Sequence, residues 1–297
     1  MSLDMFLQHL ANGISLGALY ALIAMGYTMV YGILRLINFA HGDLFMISAY
    51  MAFYGVALFT LPWYVSFALA IVLAAVLGMM VERVAYRPLR DAPRISALIS
   101  AIGVSLLLEN VAIVVFGGRP KAFPRPSLFA YEWKFGEIRV LSLTLFIILI
   151  SVGILLAVFY LVYRTKTGRA MRAVSRDFGI ASLMGININQ VVSLTFAIGS
   201  ALAAAGAIMW GMKFPQLLPL MGVVPGLKCF IAAVVGGIGS IPGAMLGGFL
   251  LGVGEIMIVA FFPTLAGYKY AFAYLALILI LLVKPRGLLG HVAEEKA

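Results

Sequence analysis

Long apolar runs separated by short polar segments make up most of this chain. A helix needs about 20 apolar residues to cross the hydrocarbon core of a bilayer. The pattern therefore predicts an all-α polytopic membrane protein with about eight to nine transmembrane helices, formed as one transmembrane domain over residues 1–297. The predicted helices are residues 10–33, 44–61, 64–81, 95–116, 141–163, 191–212, 243–262 and 270–283.

The stretch 223–262 departs from this pattern because it is too long for one crossing and barely long enough for two. We divide it at the sequence GGIGSIP, which leaves a short apolar segment over residues 224–235 that either crosses or re-enters. Discontinuous, glycine-rich helices are tolerated at membrane depth only where neighbouring protein or a cavity satisfies the freed backbone groups. The break is therefore expected to face the inside of the bundle, and its glycines are candidates for the pathway or a gate: Gly236, Gly237 and Gly239.

The polar segment 165–189 lies between two apolar runs and is expected in water at the membrane surface. On a helical period its small and apolar residues fall on one side, and Arg169, Arg172 and Arg176 fall mostly on the other. Asp177 falls on the apolar side, and Gly179 is a point where the segment could divide into two helices. Two interpretations remain open: an amphipathic helix lying on lipid headgroups, or a docking helix for a second protein.

Composition supports a membrane protein and excludes several other classes. The chain is 64% hydrophobic and only 11% charged, whereas soluble proteins carry about 25% charged residues. The net charge of +10 comes from basic residues in loops beside apolar runs, which set orientation in a bilayer, so no nucleic acid is implied. The single cysteine, Cys229, excludes a disulfide framework. The N-terminus lacks a basic leading region and is read as a mature tail.

The distribution of basic residues predicts the orientation. The polar segments near residues 83–94 and 164–176 are separated by two crossings and must lie on one side, with nine basic residues between them. The opposite loop, 117–140, holds five and is predicted to be irregular because of its Pro and Gly residues. The more basic side is the cytoplasm. The N-terminus is therefore expected outside and the C-terminus, with its basic stop KPRG, inside.

Motifs for nucleotide hydrolysis, metal binding and nucleophilic catalysis are missing from the sequence. The nearest candidate for a phosphate loop, at Lys166, lacks the glycine spacing. His9, His41 and His291 have no carboxylate or cysteine at metal-ligand spacing. Ser240 lacks the context of a nucleophile elbow. We therefore expect no enzymatic activity, cofactor or metal.

Polar residues inside the apolar runs are the remaining candidates for chemistry. Glu109, Lys228 and Glu255 are expected to pair with one another or to face water, with Glu109 the best functional candidate. The turn NFAHGD has two interpretations. In the first, Asn38 caps a helix, Gly42 permits a positive φ angle and Asp43 opens the helix. In the second, the turn, with Asn38 and His41, lines the inner mouth of a pathway.

Four stretches of the sequence also resemble one transporter family: GALYALIAMGYTMVYGILRLINFAHGD, TKTGRAMRAVSRDFGIASLMGIN, GGIGSIPGAMLGG and KPRGLLG. In this order, and over nearly the full length, the chain resembles the LivH-type permease of branched-chain amino-acid ABC transporters. The resemblance implies a multi-pass subunit of the bacterial inner membrane that forms half of a translocation pathway. The same family includes urea and amide permeases, so the substrate stays open.

In ABC importers a cytoplasmic coupling helix of the permease sits in a groove of the ATPase, so the resemblance favours the docking interpretation for the loop 164–190. Its small and acidic residues match the pattern that this family shows in place of the EAA motif of other importers: Ala173, Asp177, Ala181 and Gly185. With Arg169, Arg172 and Arg176 they are the predicted ATPase-coupling residues.

The resemblance further implies two ABC ATPase subunits, a second homologous permease that completes a heterodimer, and a periplasmic substrate-binding protein. Two competing hypotheses are a self-sufficient transporter driven by an ion gradient through Glu109, and a purely structural membrane anchor. The glycine-rich break fits the anchor poorly.

Overall fold

The computed structural model describes residues 3–90, 92–135 and 138–290, so His291 lies outside the described residues. This part of the chain is almost entirely helical, which confirms the predicted all-α class. Its helices are α1 (Leu3–Leu34), α2 (Ala40–Ala57), α3 (Trp63–Val81), α4 (Arg94–Phe116), α5 (Ser142–Arg164), α6 (Lys166–Arg176), α7 (Phe178–Leu183), α8 (Ile188–Lys213), α9 (Val223–Gly236), α10 (Ile241–Phe261) and α11 (Lys269–Val283).

Seven helical segments of the described chain are long and apolar enough to cross a membrane. They contain α1, α3, α4, α5, α8, α10 and α11. The predicted span 44–61 corresponds to α2, which has 18 residues but is less apolar because its first turn holds His41 and Asp43. Nearly all of α2 is nevertheless buried inside the protein.

Helix α1 forms the centre of the bundle and is buried along most of its length by α8, α9 and α10. Glycines allow the backbones to come this close. A Cβ atom on Gly17 would lie 2.7 Å from the carbonyl oxygen of Phe249, and one on Gly26 would lie 2.8 Å from that of Gly199. Small residues at helix contacts are typical of packing in lipid. The alanine- and glycine-rich composition of α8 therefore has a packing role.

At one end of the bundle, the turns that follow α3 meet the start of α8. Arg90 Nη1 donates to Asn189 Oδ1 at 2.6 Å, and Arg87 Nη2 donates to Ser193 Oγ at 2.8 Å. The segment after α11 reaches the same end as the break between α9 and α10, because the backbone N–H of Leu289 donates to the Gly236 carbonyl at 2.8 Å. The basic segments near residues 83–94 and 164–176 therefore lie at the same end of the bundle, as the sequence predicts.

The loop at the opposite end is more ordered than predicted. It contains a two-stranded antiparallel hairpin of β1 (Glu132–Phe135) and β2 (Ile138–Leu141). The prediction of an irregular loop is wrong for this half, because the aromatic and β-branched residues of EWKF and IRVL favour extended pairing over the turn signals before them. The first half is held to the end of α8 by Arg125, whose Nε donates to the Met212 carbonyl at 2.9 Å.

The predicted short segment is helix α9, which has 14 residues and is therefore about 21 Å long, less than the roughly 30 Å core of a bilayer. The break after it is turned by Gly237 and Gly239, with φ angles of 115° and 87°. Neighbouring backbone satisfies the freed carbonyls, as expected: the N–H of Leu288 donates to Val235 at 2.9 Å. The break lies at the end of the bundle against the segment after α11, and Gly239 is exposed.

Candidate functional site

The polar loop between α5 and α8 folds into two short helices that meet at Asp177. Thr165 begins α6 by accepting a hydrogen bond from the Gly168 N–H at 3.1 Å. Asp177 adopts an extended conformation, and its Oδ1 accepts from the Ile180 N–H at 2.9 Å. A short carboxylate is a preferred N-cap. The prediction that Gly179 divides the segment is therefore wrong by two residues, and Asp177 is exposed as a cap rather than placed on an apolar face.

Three apolar residues of this loop, Met171, Val174 and Ala181, are buried against the bundle. The three predicted arginines separate into two groups. Arg169 and Arg176 are exposed. The guanidinium of Arg172 instead donates to the Val162 carbonyl and lies 5.5 Å from the centre of the Tyr163 ring. Arg172 therefore ties α6 to the end of α5.

The outer surface of α7 ends in an exposed apolar tip, defined by Ile180, Leu183 and Met184. These side chains are 55%, 89% and 77% exposed. The chain then turns at Gly185, whose φ angle is +79°. The two remaining predicted residues have different environments, since Ala173 is half-buried on α6 and Gly185 is exposed at the turn. An apolar tip in a polar, basic loop is a surface suited to docking.

Glu82 anchors the neighbouring segment, a role that the sequence analysis missed. Its side chain is inaccessible and forms ion pairs with Arg87 at 3.1 Å and with Arg90. Ser193 Oγ on α8 donates to Glu82 Oε2 at 2.5 Å. Beside it lies a groove of about 650 Å³ that extends to Phe178 on α7. The sequence did contain a signal for this role, because Glu82 ends an apolar run and is followed by Arg87 and Arg90, five and eight residues later.

A second polar site, which we call the midhelix cavity, lies where the starts of α2 and α9 approach α4. Three of the predicted pathway residues, Asn38, His41 and Glu109, line this cavity of about 110 Å³. Tyr27, Asp43, Ser105 and Gly222 also line it and were not predicted as pathway residues. The predicted Gly236, Gly237 and Gly239 are absent from its lining and lie at the break after α9.

The capping interpretation of the turn before α2 is wrong for Asn38 and Gly42, whereas Asp43 does lie in the first turn of α2. No side chain caps the start of α2, and the Oδ1 of Asn38 accepts from the Tyr86 hydroxyl at 2.8 Å. The positive φ angle of this turn belongs to Arg35, at 53°. Gly42 instead lies inside the helix, where an added Cβ would be 2.6 Å from the Gly222 carbonyl oxygen. Gly42 therefore serves close contact between the starts of α2 and α9.

The other predicted charges form a buried ion pair. Lys228 Nζ on α9 lies 2.8 and 2.7 Å from the two carboxylate oxygens of Glu255 on α10. The Tyr20 hydroxyl of α1 donates to Glu255 at 3.0 Å and accepts from Lys228 at 2.8 Å. The expectation of mutual pairing is confirmed for these two charges, whereas Glu109 belongs to the midhelix cavity.

Comparison with known families decides the identity of this bundle. The family described as the permease component of branched-chain amino acid transport systems matches residues 9–281. The chain belongs to this family.

Individual permeases of the family are similar over almost their whole length. The high-affinity branched-chain amino acid transport system permease protein LivH of Escherichia coli is 43% identical, covering 98% of this chain and 97% of that protein. The corresponding protein BraD of Pseudomonas aeruginosa is 44% identical, with 98% of each chain covered. The probable branched-chain amino acid transport permease protein LivH of Methanocaldococcus jannaschii is 28% identical over 92% of this chain. No solved structure gives a significant match.

As a member of the branched-chain amino acid permease family, the chain is a multi-pass membrane protein whose two polar regions have different characters. The loop of α6 and α7 presents charge and an apolar tip at one end of the bundle. The midhelix cavity places carboxylates and helix starts among apolar helices. One region is suited to contact with another protein and the other to contact with a polar solute.

Proposed function

We propose that this protein is the membrane-spanning permease subunit of a bacterial ABC importer for branched-chain amino acids. The family match over residues 9–281, with relatives named for branched-chain amino acids at 43% and 44% identity, carries the proposal. The sequence has no phosphate-binding loop, and we assign ATP hydrolysis to partner subunits. The proposed partners are two ATPases, a second homologous permease that forms a heterodimer with this chain, and a periplasmic binding protein.

The apolar tip of α7 is the proposed contact with the ATPase. The loop 164–190 exposes the apolar Leu183 and Met184 as well as the basic Arg169 and Arg176, so an apolar pocket with an acidic rim would match it. Arg172 connects this contact to α5. Closure of the ATPase pair would move α6 and α7 as one element and open the permease on the opposite side. The residues proposed to couple transport to ATP are therefore those of the loop 164–190.

This arrangement sets the proposed orientation in the inner membrane. The end that holds α6 and α7 faces the cytoplasm, because most loop arginines lie there and positive loops stay inside. The segment after α11 reaches the same end, so the C-terminus is cytoplasmic. The hairpin β1–β2 and the N-terminus then face the periplasm.

A substitution at the tip tests the coupling surface. Leu183→Asp adds a charge to a side chain that is 89% exposed, so folding and membrane insertion are expected to persist. Because a charge in an apolar contact is disfavoured, co-purification of the ATPase and uptake of labelled L-leucine should each fall by about tenfold or more. Leu128→Asp, at the opposite end of the bundle, is the matched control and should retain the ATPase.

Three results would contradict the proposal. The first is normal ATPase recovery and uptake with Leu183→Asp. The second is uptake by the purified chain alone in vesicles with an ion gradient, which would indicate a self-sufficient transporter. The third is uptake of labelled urea or acetamide but not L-leucine by the complete assembly, which would replace the substrate.

A further inference from the structure

The midhelix cavity lies deep in the bundle rather than at its end. His41 Nε2, in the first turn of α2, is 3.2 Å from the carbonyl oxygen of Ile23. Ile23 is about 16 Å along the helix axis from the end of α1 at Leu34. Helix α2 therefore begins beside the middle of α1, and irregular backbone at such depth is tolerated only beside protein or a polar cavity.

Acidic groups dominate the charge of this cavity. Asp43, which is 2% exposed, accepts a hydrogen bond from Ser105 Oγ at 2.5 Å. Glu109 lines the same space from α4, and the lining contains neither lysine nor arginine. Ionisable groups at membrane depth are costly and mark paths for substrates or ions. The two carboxylates therefore favour a positively charged guest.

Tyr27 gives an independent indication of a ligand. Its side chain lines the cavity and is 3% exposed, yet its hydroxyl, which lies near the Asn38 backbone, makes no hydrogen bond of full geometry to a described residue. The ring is held edge-on by His41 at 5.8 Å and Phe230 at 5.9 Å. A buried hydroxyl without a protein partner is rare and costly. A polar guest in the cavity could satisfy it.

The same cavity also receives the starts of two helices. Neither α2 nor α9 is capped by a side chain at its start. The contact between Gly42 and Gly222 brings both starts together. The first N–H groups of a helix lack partners within the helix and carry its partial positive charge. The N–H groups of His41 and Val223 already donate to the carbonyls of Asn38 and Leu220, at 3.3 and 3.2 Å. The partial positive charge of the two helix starts therefore favours an anionic group, beside carboxylates that favour a cationic one.

We propose that the midhelix cavity binds the head group of an α-amino acid, an assignment that rests on the proposed function. The ammonium group would lie at Asp43 and Glu109, and the carboxylate would meet the starts of α2 and α9 and the Tyr27 hydroxyl. The cavity measures about 110 Å³, several times the roughly 10–15 Å³ that one ordered water needs. It therefore has room for the head group, and the aliphatic side chain would extend towards the mouth of the cavity.

The mouth of the cavity is suited to that side chain. Phe39, Val223 and Leu227 line the cavity and are 40%, 38% and 37% exposed. A branched aliphatic group could lie against these apolar residues while the charged head enters the polar interior. The face of the protein formed by α2, α4 and the start of α9 then lines the translocation pathway rather than contacting lipid.

Competitive binding to the full chain in lipid nanodiscs tests this inference. Labelled L-leucine is competed with 3-methylbutan-1-amine, which lacks the carboxylate, and with 4-methylpentanoate, which lacks the ammonium group. Leucine should bind most tightly and 4-methylpentanoate most weakly. Asp43→Asn and Glu109→Gln should each weaken leucine and the amine by about tenfold or more, since a hydrogen-bonded charge is lost. Binding of 4-methylpentanoate should not fall.

One control variant and one conservative substitution in the cavity separate recognition from folding. Glu132→Gln, at an exposed acid of β1, should leave the affinity for leucine unchanged. Tyr27→Phe removes only the hydroxyl and should weaken leucine and 4-methylpentanoate by a few-fold, with no loss for the amine. Equal unfolding temperatures of the variants and the wild type verify that each is folded.

Four results would overturn the inference. They are no binding of millimolar L-leucine to the wild-type chain, leucine affinity unchanged in all three cavity variants, equal competition by the amine and the acid, or occupation by Na⁺ with leucine excluded. The proposed function fails separately, if the complete wild-type assembly does not take up leucine. Uptake by that assembly that is identical in wild type and variants would refute only the binding site.

Discussion

Removing one partner of the ion pair between Lys228 and Glu255 is expected to destabilise the protein more than removing both. Both side chains are nearly buried, at 6% and 7% exposure. Breaking a buried pair leaves an uncompensated charge and costs about 3–5 kcal/mol. Glu255 would keep the Tyr20 hydroxyl and Lys269, 3.9 Å away. Lys228 would keep the same hydroxyl and the ring of Tyr270 at 4.3 Å.

Because these contacts remain, the cost of each single substitution should lie near the lower end of this range. We expect Lys228→Met and Glu255→Met each to lower the free energy of unfolding by about 3 kcal/mol. The double variant should lie within about 1 kcal/mol of the wild type, because apolar residues of similar size often replace a buried pair without loss. Lys134→Met, at an exposed lysine, is the control and should change the value by less than about 0.5 kcal/mol.

Equilibrium unfolding in detergent micelles, followed by circular dichroism, measures all four variants under the same conditions. The free energies of the wild type, the two single variants and the double variant form a double-mutant cycle whose interaction energy isolates the pair. Single substitutions that cost less than about 1 kcal/mol would refute the reasoning. A double variant as unstable as the two singles combined would refute it too, because the charges would then contribute independently.

Two further predictions concern helix packing and the turn after α3. Gly42→Ala should destabilise the protein by about 1–3 kcal/mol, because its Cβ would meet the Gly222 carbonyl. Gly103→Ala, with no atom within 4 Å of the new Cβ, should stabilise α4 by about 0.5–1 kcal/mol. Thermal unfolding compares the two, and a stabilising Gly42→Ala would contradict the contact. Glu82→Gln removes the charge that pairs with Arg87 and Arg90, so the turn after α3 should become at least several-fold more susceptible to limited proteolysis. Unchanged cleavage would show that Ser193 and the arginines hold the turn without the charge.

The apolar pattern predicted the transmembrane helices well because the bilayer imposes both length and composition. The expected span 191–212 became α8 (Ile188–Lys213), and the extra first turn is explained by Asn187, whose side chain accepts from the Gln190 N–H at 3.2 Å. Local capping chemistry of this kind extends a helix beyond its apolar run. The same chemistry at Asp177 moved the division of the polar loop away from Gly179.

The midhelix cavity could be predicted only in part. Asn38, His41 and Glu109 were noticeable because polar residues are rare in apolar runs. The pairing of Asp43 with Ser105 and the contact of Gly42 with Gly222 join residues far apart in the chain. No local period encodes such contacts, since they depend on how the helices pack. Glu82 was missed for the same reason, as its partner Ser193 lies on a distant helix.

The central place of α1 has a consequence for how the membrane acts on this protein. Its neighbours shield α1 from lipid along most of its length, whereas α11 buries only Ala273. A change in bilayer thickness is absorbed by tilting of helices that touch lipid. The tilt of α1 is fixed by protein contacts, so thinner or thicker membranes should strain the outer helices first and leave the geometry at the centre unchanged.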